Sequence, residues 1–428
     1  MSDKWIFSIP APESGNVIEG YYNAGPMLAN DFGGFTAEDS RMQIVTGVCV
    51  EDYRAYIAAL ANAGYEIEGE NSLGSNLFAE CGNFHISFFE KRGEIRVIED
   101  KVKTPLSKFG YCAKGEGKTT IYQYGLHYDC QNRCTPTTVN CGMLYVIKLS
   151  DNSLFMIDGG HILQWNEEAA EGLWNFILKI TNTPAEGKVR IAAWYFTHAH
   201  DDHANGCTKL LNRHGDRIEL ERVMFNMPSY SVVRGSYSSS IADMKKIVAE
   251  KYPDAMLLKV HSGQKFTLAD AEFEFYYAHE DAVEANNISV FPPRDFNCTS
   301  SILRFTSGGS SVMFLGDTNV ETEAILARIT DKEIWKADFV QVAHHCFNYL
   351  DTLYEWIDAP LAMLPNSYFG GHTPENTPKL AGVIKHLSSE DNIYYEGEAT
   401  DGFEVIDGKW QHVSSEPVVG GEYDGSGY

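Results

Sequence analysis

Strand-like apolar runs interleaved with amphipathic helical runs predict an α/β body of sheets covered by helices, with a small α+β module in front of it. Three observations lead there. MLYVIKL, LFMIDGG, IAAWYFT, SSILRFT, SVMFLG and FVQVAHH read as strands, and GLWNFILKI, ETEAILARI and TPKLAGVIKHL as helices between them. A helix followed by three short strands precedes that series. The chain has 428 residues, more than one core usually organises, so two domains are expected.

The module comes first. YRAYIAALANAG, from Tyr53 to Gly64, has apolar residues at helical spacing and stops at a glycine. NLFAEC, FHISFFEK and GEIRVIE follow as strands separated by turn residues. His85 alternates with apolar neighbours there and reads as a sheet residue. KGEGK, residues 114–118, reads as a linker. The expected boundaries are residues 1–115 for the α+β module, 116–415 for the main body and 416–428 for a loose polar tail.

Within the body, MLYVIKL and LFMIDGG read as paired strands and IAAWYFT as a buried one. TKLLNRHG starts like a helix, and FTLADAEFEFYYA contains strand. No stretch reaches the roughly 20 apolar residues that span a bilayer, and MSDKWIFSIPAPESG lacks the basic-then-apolar layout of a secretory signal. A cytoplasmic protein without a membrane partner is the expectation. The net charge is −25, from 59 acidic against 34 basic residues, which argues against a nucleic-acid groove; the expected partner, a small-molecule or ester substrate, rests on the resemblance given below.

Nine cysteines are scattered along the chain. Their odd number in a chain this long implies no disulfide framework. Cys112, Cys130, Cys134 and Cys141 fit no compact paired-cysteine knuckle, so reduced, mostly buried thiols are preferred to a structural zinc site.

Chemistry concentrates in THAHDDHANG, residues 197–206, directly after the apolar run IAAWYF. His198 and His200 are two apart at a strand-to-loop junction and can grip one ion from the same side. Asp202 and His203 follow at the turn and can face a second ion. Imidazole and carboxylate donors suit zinc, with manganese or iron as alternatives.

This segment resembles the His-x-His-x-Asp-His signature of the metallo-β-lactamase superfamily, over roughly residues 119–410. The resemblance implies a four-layer αββα sandwich, preceded here by the small α+β domain, and two divalent metal ions at one edge of the sandwich. It implies a supporting role for Asp158 at the end of LFMIDGG and a bridging role for Asp317 in SVMFLGDTN. The last ligand is expected at His344 in FVQVAHH, with His345 beside it facing substrate, because adjacent strand residues point opposite ways. The third histidine of the first ion is expected at His279, which ends FEFYYAHED; His261 and His214 compete with it.

The order NCTSSILRF, GDTN, AHHCFN, NSYFGGHTP and EATDGFEV is similar to the hydrolase domain of ComEC-type DNA-uptake proteins and to bacterial phosphorylcholine esterases. The chain departs from that pattern at Cys346-Phe347, where those proteins carry Gly-Ser, and at Thr373 before Pro374. Asn297 and Tyr368 are expected beside substrate, and Asp202 and His372 as catalytic groups. The implied function is a dinuclear hydrolase that cleaves a phosphodiester-type or related ester bond with a metal-bridging hydroxide. Carboxylic ester, thioester or lactone hydrolysis on the same site is the alternative. Outside hydrolysis stand an iron redox protein and a binding protein with a degenerate site. No GxSxG or dinucleotide glycine fingerprint occurs at a strand-to-helix turn.

Overall fold

The computed structural model describes residues 4–23, 40–100, 114–128, 141–228, 239–288 and 296–420. Cys112, Cys130 and Cys134 lie outside the described residues. Among the described residues no helix is long and apolar enough to cross a membrane.

The first layer is a seven-stranded antiparallel sheet built from residues 16–100. Its long strands are Ser40–Thr46, Glu94–Asp100, Phe84–Phe89, Asn76–Cys81 and Gly69–Leu73, in that spatial order. Period-two alternation gives each strand two destinations. Phe84, Ile86, Phe88, Ile95 and Val97 pack with Tyr53, Tyr56, Ile57 and Leu60 of the Val50–Asn62 helix. Met42, Ile44, Phe89 and Ile98, on the other face, join the core of the main body.

That body is two sheets face to face. One has nine strands, in the order Met256–Lys259, Arg222–Phe225, Val189–Tyr195, Leu154–Asp158, Leu144–Lys148, Thr120–Gln123, Ala399–Ile406, Lys409–Pro417, with Ile218–Leu220 also on Val189–Tyr195. The other has seven: Lys265–Leu268, Ala271–Tyr277, Ile302–Ser307, Ser310–Phe314, Phe339–Gln341, Ala362–Leu364 and Ile393–Tyr395. Tyr145, Ile147, Phe155, Ile157 and Tyr195 of the first meet Phe273, Phe275, Leu303, Phe305 and Phe314 of the second in an aromatic-rich core.

The alternate residues Leu144, Val146, Leu154 and Met156 face outward and share a core with Leu173 and Ile177 of the Glu167–Ile180 helix and Leu210 of Asn205–His214. Met313 and Val340 do the same with Leu326 of Val320–Ile329 and Tyr354 of Asp351–Ile357. Helix, sheet, sheet, helix is the layering expected. FTLADAEFEFYYA forms the antiparallel hairpin of Lys265–Leu268 and Ala271–Tyr277.

One expectation needs correcting. The tail placed at 416–428 begins inside a strand: Lys409–Pro417 pairs along its length with Ala399–Ile406, matching Pro417 to Ala399. Backbone pairing, which polar composition does not reveal, orders these residues. Residues 421–428 lie outside the described residues.

Candidate metal centre

Strand ends converge at one edge of the sandwich. Leu154–Asp158 and Val189–Tyr195 run parallel, as do Ser310–Phe314 and Phe339–Gln341. The loops leaving these four strands carry Asp158, His198 to His203, Asp317 and the His344–His345 pair.

Two donor groups form there. Asp202, His203, Asp317 and His345 place one ligand atom each within 4.8 Å of one another, and so do His198, His200 and Asp317. Asp317 belongs to both. His345 Nε2 lies 3.1 Å from Asp202 Oδ2 and 3.4 Å from Asp317 Oδ2. His203 Nε2 is 3.4 Å from the same Asp317 oxygen, and His198 Nε2 is 3.1 Å from His200 Nδ1. His198, His203, Asp317 and His345 are at most 1% exposed.

The far sides of the His203 and His345 rings are tied down, which leaves their near sides for a ligand. His203 Nδ1 donates to Asp158 Oδ2 at 2.6 Å. Asp158 also accepts from the Thr197 backbone N–H and hydroxyl, both at 2.8 Å. His345 Nδ1 donates to the Pro365 carbonyl at 2.8 Å. The atoms facing inward have no such partner: His203 Nε2, His345 Nε2, Asp317 Oδ1 and Asn297 Oδ1 are buried without a hydrogen bond. Converging unpartnered nitrogen and oxygen donors fit a pair of divalent cations.

Electrostatics point the same way. Burial works against charge on His203, yet Asp317, Asp158 and Asp202 outweigh it and hold its pKa well above the usual imidazole range. His345, also opposed by burial, is pushed up to about 10, chiefly by Asp317 and Asp202. Burial raises the two carboxylates, but His203 and His345 bring both well below their ordinary value. Among the described residues no lysine or arginine forms an ion pair with Asp158, Asp202 or Asp317. Buried negative charge is costly unless compensated, and without a cation only protonated imidazole supplies the compensation.

Local backbone explains the placement. Gly316 has φ +54°, and an added Cβ would stand 3.0 Å from Thr197 Cβ, so the turn presenting Asp317 favours glycine. His344, His345 and Cys346 all have positive φ, at 49°, 51° and 67°. Three such non-glycine residues in a row are strained, and strain of this kind clusters at functional sites.

That conformation corrects the expected roles of the pair. The strand ends at Gln341, so strand alternation no longer governs the histidines. His345, expected to face substrate, enters the donor group. His344, expected as the ligand, stays outside it: Nε2 is 3.8 Å from Asp317, 3.1 Å from Asn297 Nδ2, and Nδ1 meets the Asn348 amide.

His279 is corrected more sharply. Its Nε2 donates to Asn226 Oδ1 at 2.9 Å, and its Nδ1 lies 3.3 Å from the Tyr22 hydroxyl. Nε2 is engaged within the body and Nδ1 with Tyr22 of the N-terminal sheet, and no lone pair remains for an ion. His261 pairs with Asp100 at 2.7 Å, and His214 stacks on Trp174. Neither joins the centre.

Asn297 lies beside His344, with its oxygen unpartnered. Tyr368 is 56% exposed on the short Tyr368–Gly371 helix. His372, expected as a catalytic group, is exposed, stacked on Tyr368, and donates Nδ1–H to the Tyr368 carbonyl at 2.8 Å. No hydrogen bond joins it to the cluster, because helical geometry turns it back on its own first residue. Two neighbours were not legible in the sequence: Cys141, whose thiol is raised well above its usual value by burial and by the Asp202 carboxylate, and Glu396, a buried carboxyl near His345 and His203. Neither sits in a motif.

No protein-family model matches the sequence. No curated protein matches it. Among solved structures the chain is similar to the metallo-β-lactamase fold protein YhfI from Bacillus subtilis, at 10% identity and TM-score 0.36, covering 65% of this chain and 96% of that one. It is similar to a diphosphatase of the PhnP family, at 13% identity and TM-score 0.36, over 70% and 100% of the two chains. It is also similar to CmlA, a diiron β-hydroxylase from Streptomyces venezuelae, at 12% identity and TM-score 0.32, over 66% of this chain and 45% of that one. Identities and scores this low carry no inference about chemistry, which rests on the side chains already described.

Proposed function

We propose that this chain is a dinuclear metal-dependent hydrolase of the metallo-β-lactamase type, acting on a phosphodiester or a related ester. One observation carries the proposal: two donor groups share Asp317, and in the first of them His203 Nε2, His345 Nε2 and Asp317 Oδ1 are buried without a hydrogen bond. Asp202, His203, Asp317 and His345 would hold one cation, and His198, His200 and Asp317 the other. Divalent ions in such a pair supply a water acidified to a pKa of roughly 7 and an electrophilic grip on the attacked oxygen. Zinc suits the donors best, and manganese or iron are compatible with them.

The protein's own groups do the rest. Asp158 and Pro365 fix the tautomers of His203 and His345 so that each presents Nε2. Asp202, 9% exposed at the edge of the cluster, is placed to take the nucleophile's proton. Asn297 Oδ1 is free to contact a cation or substrate. Phe347, with its ring centre 5.7 and 5.8 Å from those of His344 and His345, stands where the ComEC-type pattern carries serine.

The test joins metal content with turnover. The purified protein is expected to carry about two divalent ions per chain, as dinuclear sites of this kind do. It should hydrolyse bis-p-nitrophenyl phosphate faster than p-nitrophenyl phosphate, lose the activity to chelators and regain it with zinc or manganese. Turnover of simple lactones without the diester would replace the substrate class and leave the metal centre standing. Near-zero metal after gentle purification would overturn the enzyme reading.

A further inference from the structure

Glu396 follows the Ile393–Tyr395 strand and is fully buried. Its Oε1 accepts from the Leu144 backbone N–H at 2.8 Å. Its Oε2 lies 2.8 Å from the Tyr128 hydroxyl oxygen, and that hydroxyl is also 2.8 Å from the Gly142 carbonyl. A phenol has one proton to give, and a carbonyl has none. Were Glu396 a carboxylate, one of these two oxygens would face the phenol oxygen with no hydrogen between them. Both bonds form at once only if Glu396 brings the second proton.

The three residues tied here support the metal centre. Gly142 O is held by Tyr128 and Leu144 N by Glu396, while Met143 N–H, between them, donates to the Asp202 carbonyl at 3.3 Å. We propose that Glu396 is a neutral carboxylic acid in the folded protein, and that the chain from Glu396 through the Tyr128 hydroxyl to Gly142 O fixes the backbone on which Asp202 is seated. Glu396 is then a positioning residue that acts through Asp202. The protonation stands by itself, and the positioning rests on Asp202 being a metal ligand.

The surroundings agree. Burial pushes the carboxyl up to about 8, against the pull of the Leu144 and Tyr128 bonds and of His345 and His203 beyond. Tyr145 faces Glu396, and Cys141 faces Tyr128; burial raises both well above their usual values, so neither contributes charge at neutral pH. A buried acid with few compensating charges stays protonated. Raising the pH past about 8 would ionise it, break the proton chain and loosen the seat of Asp202.

Infrared difference spectra of wild type against Glu396→Gln test the protonation without reference to activity. At pH 7 wild type should show a protonated-carboxyl stretch that the variant lacks, converting to carboxylate bands above pH 8. Carboxylate bands at pH 7 would overturn the proposal. Glutamine reproduces the acid, accepting from Leu144 and donating to Tyr128. Glu396→Gln should therefore bind zinc within about twofold of wild type at pH 7, and keep that affinity above pH 8 where wild type loses it relative to the variant. Tyr128→Phe should weaken the zinc that Asp202 would hold roughly 10–100-fold, as loss of an outer support does. A Gln variant that loses zinc at pH 7, or a Phe variant that keeps it, sinks the positioning half. If Glu396→Gln does not fold, the pH-dependent spectra of wild type labelled at its glutamate carboxyls decide the protonation, and Tyr128→Phe decides the positioning. Absence of hydrolysis on any ester would bear on the enzyme reading and leave the infrared result untouched.

Discussion

Two buried polar clusters in this molecule use the same kinds of side chain for opposite ends. One is the strand-end centre around Asp317. The other lies where the N-terminal sheet meets the body: Asp100, Lys259, His261, Glu280, His279 and Asn226, all at most 7% exposed. In the second cluster Glu280 accepts from Asn226 at 2.8 Å and faces Lys259 at 3.2 Å, and Asp100 pairs with His261 at 2.7 Å and lies 3.7 Å from Lys259. Arg96, 1% exposed, bonds the Glu280 and Val283 carbonyls from the neighbouring sheet. That cluster carries its own cations and joins two layers. The strand-end cluster has three aspartates, no lysine or arginine partner among the described residues, and ligand atoms without hydrogen bonds. Charge balance, not residue type, separates the structural network from the metal centre.

The sharpest way to break this contrast is Asp317→Ala. It removes the one residue common to both donor groups. Metal content should fall to near zero and turnover by about a thousandfold or more, which is roughly 4 kcal/mol of barrier. The fold should survive, because the core packs on other strands. Retained metal and activity would end the bridging role.

Glu280→Gln is the matching change in the other cluster. It strips Lys259 of its nearest carboxylate in a buried site, which costs about 3–5 kcal/mol. Denaturant unfolding should register the loss, while metal per folded chain stays the same. Loss of metal with unchanged stability would show that the two clusters are not separate devices. Asp158→Asn comes next in size. It frees the ring of His203 from its carboxylate and should weaken metal binding roughly 10–100-fold, measured by competition with a chelator.

The contrast also explains what the sequence revealed. The continuous apolar runs MLYVIKL, LFMIDGG and SVMFLG disclosed the body strands, because burial against the facing sheet on one side and against helices on the other leaves an unbroken apolar trace. His198, His200, Asp202, His203 and Asp317 were legible because they follow apolar strands within a few residues. His279 satisfied that same rule and does not join the centre. Whether its nitrogens are free depends on Tyr22 and Asn226, far away in sequence, and no local pattern records them. The exchange of His344 for His345 escaped for a different reason: three consecutive left-handed residues abolish the alternation from which a strand end is read. Glu396 was invisible because its partners, Leu144 and Tyr128, are some 250 residues earlier in the chain.

The smallest expected effect is a pH dependence confined to the strand-end cluster. In metal-free protein His345 is held up to about 10, against an ordinary value of 6.5, because Asp317 and Asp202 outweigh its burial. A histidine whose folded value lies above its unfolded value adds stability that is complete below about pH 6.5 and disappears as pH rises through 10. Chelator-treated protein should therefore melt at progressively lower temperature across that window. Metal-loaded protein should lack this component, since Nε2 is then given to the cation and carries no proton. The same linkage requires metal affinity to rise with pH over the range in which His345 gives up its proton. Melting curves of both forms between pH 6.5 and 10, with His345→Asn as control, measure it. Parallel pH dependence in the two forms would mean that His345 is not a ligand, and would return that place to His344.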